Sequence, residues 1–269
     1  VTNLSDSLTI TSFTVSSSDD SSSSGSGVFV AVGYSGAIVR STDNGSTWDN
    51  ATSPTANRLF GVTFGNNTFV AVGSSGNIVR STNNGTSFDN VTSPTANDLI
   101  GVTFGNNTFV GVGSSGNIVR STDNGSSWDN ATSPTGNNLR EVTFGNNTFV
   151  GVGYSGNIVI STNNGSTWDN ATTDNSTTNN LYGVILGNNT FVAAVGHSGH
   201  IVISTDNGST WDNATSPTEN HLMAITFGNN TFVAVGYTGN IVRSTDNGTT
   251  WDNATSPTAN VLRGVTYLE

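Results

Sequence analysis

The chain has 269 residues and a formal net charge of −11, and all seven of its basic residues are arginine. This length suits one repeat-built domain or two small ones, and the negative charge excludes a nucleic-acid backbone as a partner. The absence of cysteine excludes disulfides and thiol catalysis, and without a run of 18 apolar residues we expect no membrane span.

Residues 1–27 differ in composition from the rest of the chain. Apolar and β-branched residues alternate with polar ones over Leu8–Val15, which predicts a strand. Only Ser, Asp and Gly occupy residues 16–27, which predicts a flexible linker. We therefore divide the chain into an N-terminal strand with its linker, residues 1–27, and a repeat domain, residues 28–269.

From Val28 onwards the chain repeats with a period of about 40 residues. One unit contains four short runs of β-forming residues, namely Leu59–Phe64, Thr68–Gly73, Asn77–Ser81 and Thr86–Val91. The second run is apolar on both faces, as expected of a strand packed between two neighbouring sheets. This period and this number of strands are typical of one blade of a β-propeller.

An octapeptide turn marks every unit. The sequence Ser-Thr-Asp-Asn-Gly-Ser-Thr-Trp begins at Ser41, and related copies begin at Ser81, Ser121, Ser161, Ser204 and Ser244. Asp-Asn-Gly between two β-forming runs indicates a hairpin, because Asn and Gly accept a positive φ. Trp closes five copies and Phe88 closes the sixth, so we expect a buried aromatic anchor beneath each turn.

These copies resemble the Asp-box, or bacterial neuraminidase repeat, whose pattern is Ser-x-Asp-x-Gly-x-Thr-Trp. Asn83 and Asn163 depart from its Asp, and Ser87 and Ser127 from its Thr. The family includes sialidases, other glycosidases and photosystem II assembly factor-like proteins. In that family the box joins the third and fourth strands of a propeller blade, away from the active site, so the resemblance implies a fold and not an activity. The WD repeat is the alternative, but its Gly-His element is missing.

The strand count predicts an all-β, six-bladed β-propeller of four-stranded blades. Val28–Asn50 supplies three strands of the first blade and lacks the inner one. Val261–Tyr267 matches the inner strand Arg58–Phe64, so we expect this C-terminal strand to join the first blade and close the ring. Leu8–Val15 is the alternative inner strand, but it does not match the Leu-x-Gly-Val-Thr pattern and is instead expected to form an N-terminal extension.

Variation among the units concentrates at the start of the inner strand and at the turn between the second and third strands. In a propeller these two places lie on the same face, around the mouth of the central channel. A binding face there would carry the side chains of Arg58, Phe60, Arg140, Tyr154, Tyr182, His197, His221, Tyr237 and Arg263. The alternative is drift at exposed loops, which vary most easily.

No catalytic or metal-binding constellation is recognisable. Four of the seven arginines recur at one repeated position, so they do not converge as a sialidase requires, and the Arg-Ile-Pro motif is absent. Glycosidases need two placed carboxylates, whereas Asp98, Glu141 and Glu219 belong to separate units. The three histidines are interpreted as loop residues. We therefore expect no enzymatic activity, no cofactor and no metal.

Acceptor motifs for N-glycosylation are dense, with 19 Asn-x-Ser/Thr tripeptides, which favours an extracellular or cell-surface location. Because the chain begins at Val1, we expect that a leader has been removed. The candidate acceptors are Asn3, Asn44, Asn50, Asn66, Asn84, Asn90, Asn106, Asn124, Asn130, Asn146, Asn164, Asn170, Asn175, Asn188, Asn207, Asn213, Asn229, Asn247 and Asn253.

The leading hypothesis is a secreted, glycosylated structural propeller. With the ring closed by the C-terminal strand, the N-terminal strand would pair with a sheet edge of a neighbouring copy and build a filament. Its assembly residues would be Leu8, Ile10, Phe13 and Val15. The alternative is a propeller that binds a glycan or a protein through Tyr34 and the other tyrosines of the variable face, and a glycosidase is the third hypothesis.

Overall fold

A computed structural model describes residues 10–16, 27–173, 178–195 and 198–267. Within these ranges the strands form six antiparallel sheets of four strands, and the fifth sheet gains one short parallel strand. The described part of the chain has no helix that is long and apolar enough to cross a membrane. The predicted all-β architecture with four strands per 40-residue repeat is confirmed.

The strands are numbered in chain order. The first sheet contains β1 (Ile10–Ser16), β2 (Val28–Gly33), β3 (Ile38–Ser41) and β4 (Asp49–Asn50). The second contains β5 (Leu59–Gly65), β6 (Thr68–Gly73), β7 (Ile78–Ser81) and β8 (Asp89–Val91). The third contains β9 (Leu99–Gly105), β10 (Thr108–Gly113), β11 (Ile118–Ser121) and β12 (Asp129–Ala131).

The fourth sheet contains β13 (Leu139–Gly145), β14 (Thr148–Gly153), β15 (Ile158–Ser161) and β16 (Asp169–Asn170). The fifth contains β17 (Thr172–Thr173), β18 (Leu181–Gly187), β19 (Thr190–Val195), β20 (Ile201–Ser204) and β21 (Thr210–Ala214). The sixth contains β22 (Leu222–Gly228), β23 (Thr231–Gly236), β24 (Ile241–Ser244) and β25 (Asp252–Asn253). Short 3₁₀ turns span Tyr34–Gly36, Ser74–Gly76, Ser114–Gly116, Tyr154–Gly156 and Tyr237–Gly239.

The described residues form two compact units. The first unit lies within residues 1–113 and 117–130, and the second within residues 114–116 and 131–269. In each unit the second strand of a sheet is buried on both faces, as in β6, where Phe69 and Val70 are fully buried. Successive sheets approach closely through glycine: a Cβ added to Gly65 would lie 2.1 Å from the ring of Phe104. The same close approach at Gly145, Gly187 and Gly228 explains why β5, β13, β18 and β22 end in glycine.

Hydrogen bonds between residues of the same octapeptide close the turn. Ser121 Oγ accepts a bond from the Gly125 amide at 2.9 Å and donates one to Asp123 at 2.8 Å. Asp123 also accepts from the hydroxyl of Ser127 at 2.6 Å, and the bonds from Ser127 lower the pKa of Asp123 from 3.8 to about 2. Asn83 accepts from Ser81 in the same way, which explains why Asn can replace the Asp.

The aromatic anchors behave as predicted in five of the six turns. Trp128, Trp168, Trp211 and Trp251 are at most 6% exposed, and Phe88 is 2% exposed. Trp48 departs from this pattern, since 42% of its surface is exposed. The prediction of a buried anchor is wrong at this position, because no described sheet of the first unit covers that face of the first sheet.

The first sheet is completed by β1 and not by the C-terminal segment. Strand β1 pairs with β2 in antiparallel register, from Ile10 opposite Gly33 to Ser16 opposite Val28, whereas residues 261–267 form no strand. The prediction that Val261–Tyr267 joins the first sheet is therefore corrected. The physical reason is that β1 is separated from β2 by residues 17–27 alone, so the loop that brings it to this edge closes at little entropic cost.

This pairing also removes the observation that suggested a free donor strand. Ile10, Phe13 and Val15 lie in β1, and their backbones are opposite β2 of the same chain. Leu8 and the linker residues 17–26 lie outside the described residues. Because β1 is paired with β2 of its own sheet, it is not a free strand that needs a neighbouring copy as its partner.

Candidate functional site

A bulge in the inner strand positions the variable side chains. Leu59 lies opposite Gly73 and Gly61 lies opposite Val72, so Phe60 has no opposing residue on β6. Arg140 of β13 and Tyr182 of β18 occupy the same unpaired position in their sheets. A bulge turns its side chain away from the regular alternation of the strand. The inner strand therefore presents one variable side chain where the pairing pattern is interrupted.

The turn between the second and third strands is held beside this bulge. The amide of Tyr154 donates to the carbonyl oxygen of Asn138 at 2.8 Å, just before the inner strand begins. The preceding residue, Gly153, approaches the same segment so closely that an added Cβ would lie 2.1 Å from the Asn138 oxygen. The first residue of the turn and the bulged residue are consequently fixed as neighbours.

In the first unit this arrangement brings together an arginine and two aromatic rings. The Cζ atom of Arg58 lies 3.9 Å from the ring centroid of Tyr34 and 4.5 Å from that of Phe60. Both distances are within the range of cation–π attraction. Tyr34 is 45% exposed, so the outer ring of this stack faces solvent.

The second unit contains a related cluster, which we name the Arg–Tyr cluster: Arg140, Tyr154 and Tyr182. The Cζ atom of Arg140 lies 5.7 Å from the Tyr154 ring centroid and 5.8 Å from that of Tyr182. The two rings meet edge to face, with centroids 6.3 Å apart and planes at 84°. All three side chains are half-buried, so the rings restrain the guanidinium while part of the cluster remains accessible.

The remaining predicted face residues have different surroundings. His221 and Tyr237 form their own edge-to-face pair in the second unit, with centroids 5.2 Å apart, and Tyr237 is 37% exposed. Arg263 is exposed in the C-terminal segment. His197 lies outside the described residues. His200 contacts Asn179 and Asn213 through its two ring nitrogens, which is a structural arrangement.

The acidic residues near the bulges do not form a pair. Asp98 accepts a bond from the Ser75 amide at 2.8 Å and so stabilises a turn, as Asn138 does for Ser115. Burial raises the pKa of Glu141 from 4.5 to about 7, opposed by a bond from the Val142 amide. In the described part of the chain no three His, Asp or Glu side chains are grouped as a metal site.

The candidate glycosylation sites differ in the accessibility of their amide nitrogens. Asn124 and Asn207 donate through Nδ2 to Thr68 and Thr148 at 2.7 and 2.6 Å, and their Oδ1 atoms are buried. The hairpin residues Asn66, Asn106, Asn146, Asn188 and Asn229 are instead exposed, although Asn66 and Asn188 also donate through Nδ2 to other exposed asparagines. Asn3 and Asn175 lie outside the described residues.

Sequence variation located the Arg–Tyr cluster, but it did not reveal how its members meet. The inner-strand bulge was not predicted, because the Leu-x-Gly pattern alternates like an ordinary strand. The usable signal is the glycine two residues after the leucine, with a variable residue between them, in three of the five inner strands that begin with leucine and in the C-terminal segment. Small residues at a fixed strand position often accompany a bulge.

Comparisons with known proteins identify the fold. Residues 98–220 match the family model of the DUF6242 beta propeller domain. YCF48 from Cyanidioschyzon merolae is similar in structure, with a TM-score of 0.70 and 18% identity over 94% of this chain and 87% of that chain. YCF48 bound to D1 peptide has a TM-score of 0.67 and 20% identity over 84% of this chain and 76% of that chain.

An enzyme shares the same fold. Catalytically inactive virginiamycin B lyase from Staphylococcus aureus with quinupristin has a TM-score of 0.77 and 18% identity, over 94% of this chain and 86% of that chain. No curated protein matches the chain in sequence. The predicted resemblance to propellers, including photosystem II assembly factor-like proteins, is confirmed. At these identities the structural likeness shows the fold alone.

Proposed function

We propose that this chain is a non-enzymatic, extracellular assembly propeller that binds an extended segment of a partner protein at its Arg–Tyr cluster. The observation that carries this proposal is the arrangement of Arg140 within 6 Å of two tyrosine rings on neighbouring sheets of one unit. The six-bladed count and the glycosylated surface that the sequence predicts belong to the same proposal.

The chemistry of the cluster suits a peptide. A guanidinium restrained by aromatic rings keeps its N–H groups available for a carboxylate or a backbone carbonyl of the ligand. Tyrosines bury a large area on binding at little entropic cost, and Tyr and Arg are frequent among the residues that dominate binding energy. A solved propeller of the same fold carries a bound peptide, which supports this class of ligand.

The proposal that the chain is not an enzyme is supported by its acidic residues. Asp98 already stabilises a turn, and Glu141 lies on a different strand with its carboxyl buried. Hydrolysis of a glycosidic bond needs two carboxyls that flank the same bond. An extracellular location is supported by the exposed acceptor asparagines, and intact mass before and after enzymatic removal of N-glycans from the native protein tests it.

The binding proposal is tested with the full chain on arrays of extended peptides, followed by titration of the hits. We expect Arg140→Ala and Tyr182→Ala each to weaken binding by about tenfold or more, as for central interface residues. Arg80→Ile is the matched control, because it removes the same charge and introduces the residue found at position 160.

Two outcomes would contradict this function. Peptide hits that are insensitive to both Arg140→Ala and Tyr182→Ala would place binding elsewhere on the molecule. Hits confined to a glycan array and sensitive to Tyr182→Ala would favour the lectin alternative, since tyrosine rings also stack on sugars.

A further inference from the structure

Neighbouring sheets of the first unit are joined by a repeated contact. Arg40 Nε of the first sheet donates to the carbonyl oxygen of Asn84 in the second at 2.6 Å, and Arg80 Nε of the second donates to Asn124 in the third at 2.7 Å. Each bond reaches the octapeptide turn of the following sheet. The preceding sheet also packs against the aromatic anchor of the following one, since Val30 and Phe88 belong to one buried cluster and Val70 and Trp128 to another.

The first sheet lacks this cover. Trp48 is 42% exposed, whereas Trp128 at the same position of the third sheet is 6% exposed. A Cβ added to Gly45 would meet nothing within 4 Å, whereas one added to Gly85 or Gly125 would lie 2.8 or 3.1 Å from a valine of the preceding sheet. The face of the first sheet that carries Trp48 and Gly45 is therefore shaped to receive a preceding sheet that the first unit does not supply.

The sixth sheet presents the opposite half of the same contact. Arg243 corresponds to Arg40 and Arg80, but it is exposed and has no hydrogen-bond acceptor among the described residues. A large fraction of Val261 and Tyr267, 37% and 44%, is also exposed. This face is shaped to contact a following sheet.

The C-terminal segment Leu262–Tyr267 already lies on the sixth sheet as an inner strand would. The Leu262 amide donates to the Gly236 oxygen at 2.9 Å. A Cβ added to Gly228 would lie 2.0 Å from the Tyr267 ring, as one added to Gly65 would meet Phe104. At Gly264, in contrast, an added Cβ would meet nothing within 4 Å. The segment therefore occupies the position of an inner strand against the sixth sheet, but it pairs with no strand of the described chain.

The segment is also complementary in sequence to β2. Leu262, Gly264 and Tyr267 match the inner-strand residues Leu59, Gly61 and Phe64, which pair with β6. Strand β2 repeats five of the six residues of β6. The established pairing of β5 with β6 thus gives a register in which Tyr267 lies opposite Phe29. Strand β1, which now pairs with β2, lacks the Leu-x-Gly pattern.

We propose that two copies of this chain join head to tail, the segment Leu262–Tyr267 of one copy replacing β1 on strand β2 of the other. The exchange substitutes one set of backbone hydrogen bonds for another. Its gain is the burial of Trp48 and Tyr267, together with a bond from Arg243 of one copy to the Asn44 carbonyl of the next. Because this contact joins two different surfaces, it can be repeated from copy to copy, in an open chain or a closed ring.

The test follows the association of the full chain by sedimentation velocity from nanomolar to high micromolar concentration. Trp48 reports on the joint, because it is the one largely exposed tryptophan in the described chain, and its fluorescence should shift to the blue on association. We expect Trp48→Ser to weaken association by about tenfold or more. Ile100→Ser is the control, since Ile100 is half-buried at the bulge of the third sheet, which contributes no residue to the joint.

Proline tests the strand pairing itself. Successive amides of a strand point to opposite edges, so either Val265→Pro or Thr266→Pro must remove a bond to β2. We expect one of the two to abolish association. Neither should unfold the monomer, since both residues lie in an unpaired segment. Thermal melting of both variants checks this point.

The N-terminal strand gives the sharpest distinction. Removal of residues 1–16 leaves the edge of β2 unpaired. It should strengthen association by about tenfold or more, because β1 no longer competes with the segment Leu262–Tyr267 for this edge. Weakened association after this removal would overturn the proposal and favour assembly through β1. A strictly monomeric protein would also overturn it, as would association that resists Trp48→Ser and both prolines. A monomer in which Trp48 is nonetheless shielded would mean that the segment pairs within its own chain.

Discussion

Two tryptophans of the first unit form a matched pair for measuring what sheet packing contributes to stability. Trp48 and Trp128 each donate from Nε1 to the glycine of their own turn, at 3.1 and 3.2 Å, and each has a phenylalanine ring 6.4 Å away. They differ in exposure, 42% against 6%. If a tryptophan presents up to about 250 Å², this difference is about 90 Å² and about 2 kcal/mol at 25 cal/mol per Å².

We therefore expect Trp128→Ala to lower the free energy of unfolding by about 3–5 kcal/mol and Trp48→Ala by about 2 kcal/mol less. The measurement is urea unfolding followed by far-ultraviolet circular dichroism, at a concentration where the protein is monomeric. Equal costs for the two variants would refute the reasoning, because the turn hydrogen bond and the ring contact are shared and only the covering sheet differs.

Four further outcomes follow from the geometry. Gly153→Ala should lower the free energy of unfolding by about 2 kcal/mol or more, because the new Cβ would lie 2.1 Å from a backbone oxygen. Gly136→Ala is the control in the same thermal melt: its Cβ would meet nothing within 4 Å, so it should be neutral or stabilising. Asp123, whose pKa is lowered to about 2, contributes stability above pH 3.8 that is lost as pH falls towards 2; Asp123→Asn should keep the turn and flatten that loss in urea titrations at pH 7, 4 and 2.5. The pKa of Glu141 is raised to about 7, so the folded chain keeps a proton that the unfolded chain releases above pH 4.5; Glu141→Gln should stabilise at pH 8 by about 1–3 kcal/mol more than at pH 4. Glycan mapping of native protein should find Asn124 unmodified, because its amide nitrogen is bonded to Thr68 and its Oδ1 atom is buried, and full occupancy there would contradict the structure.

The octapeptide turns were predictable because their geometry is determined locally. Asn and Gly at their tips adopt positive φ, as in Asn124 at 64° and Gly125 at 78°, and the stabilising bonds join residues at most four apart. The strands were predictable because their apolar pattern reflects burial between sheets. These features depend on residues close together in the sequence, so one unit contains the information that specifies them.

The occupant of the inner position in the first sheet was not predictable in the same way. Sequence similarity favoured Val261–Tyr267, while the structure pairs β1 with β2. Sequence similarity shows which of the two segments resembles an inner strand more closely. It does not include the entropic cost of closing the loop between each segment and β2. Only residues 17–27 separate β1 from β2, so this loop closes at low entropic cost, which sequence similarity between strands does not register. The exposure of Trp48 is a consequence of the same arrangement.

The location of the Arg–Tyr cluster follows from the constraints that repetition imposes. A residue in a regular strand of this chain must pair across its own sheet and also fit between the adjacent sheets, so its identity barely changes from one unit to the next. The bulged position escapes the first constraint, because no residue opposes it, and the turn residue beside it is held by hydrogen bonds through its backbone. Phe60, Arg140 and Tyr182 can therefore differ without disturbing the sheets that carry them. A repeat protein can vary its recognition chemistry at such positions, and the side chains that differ there are the ones with contacts suited to a ligand.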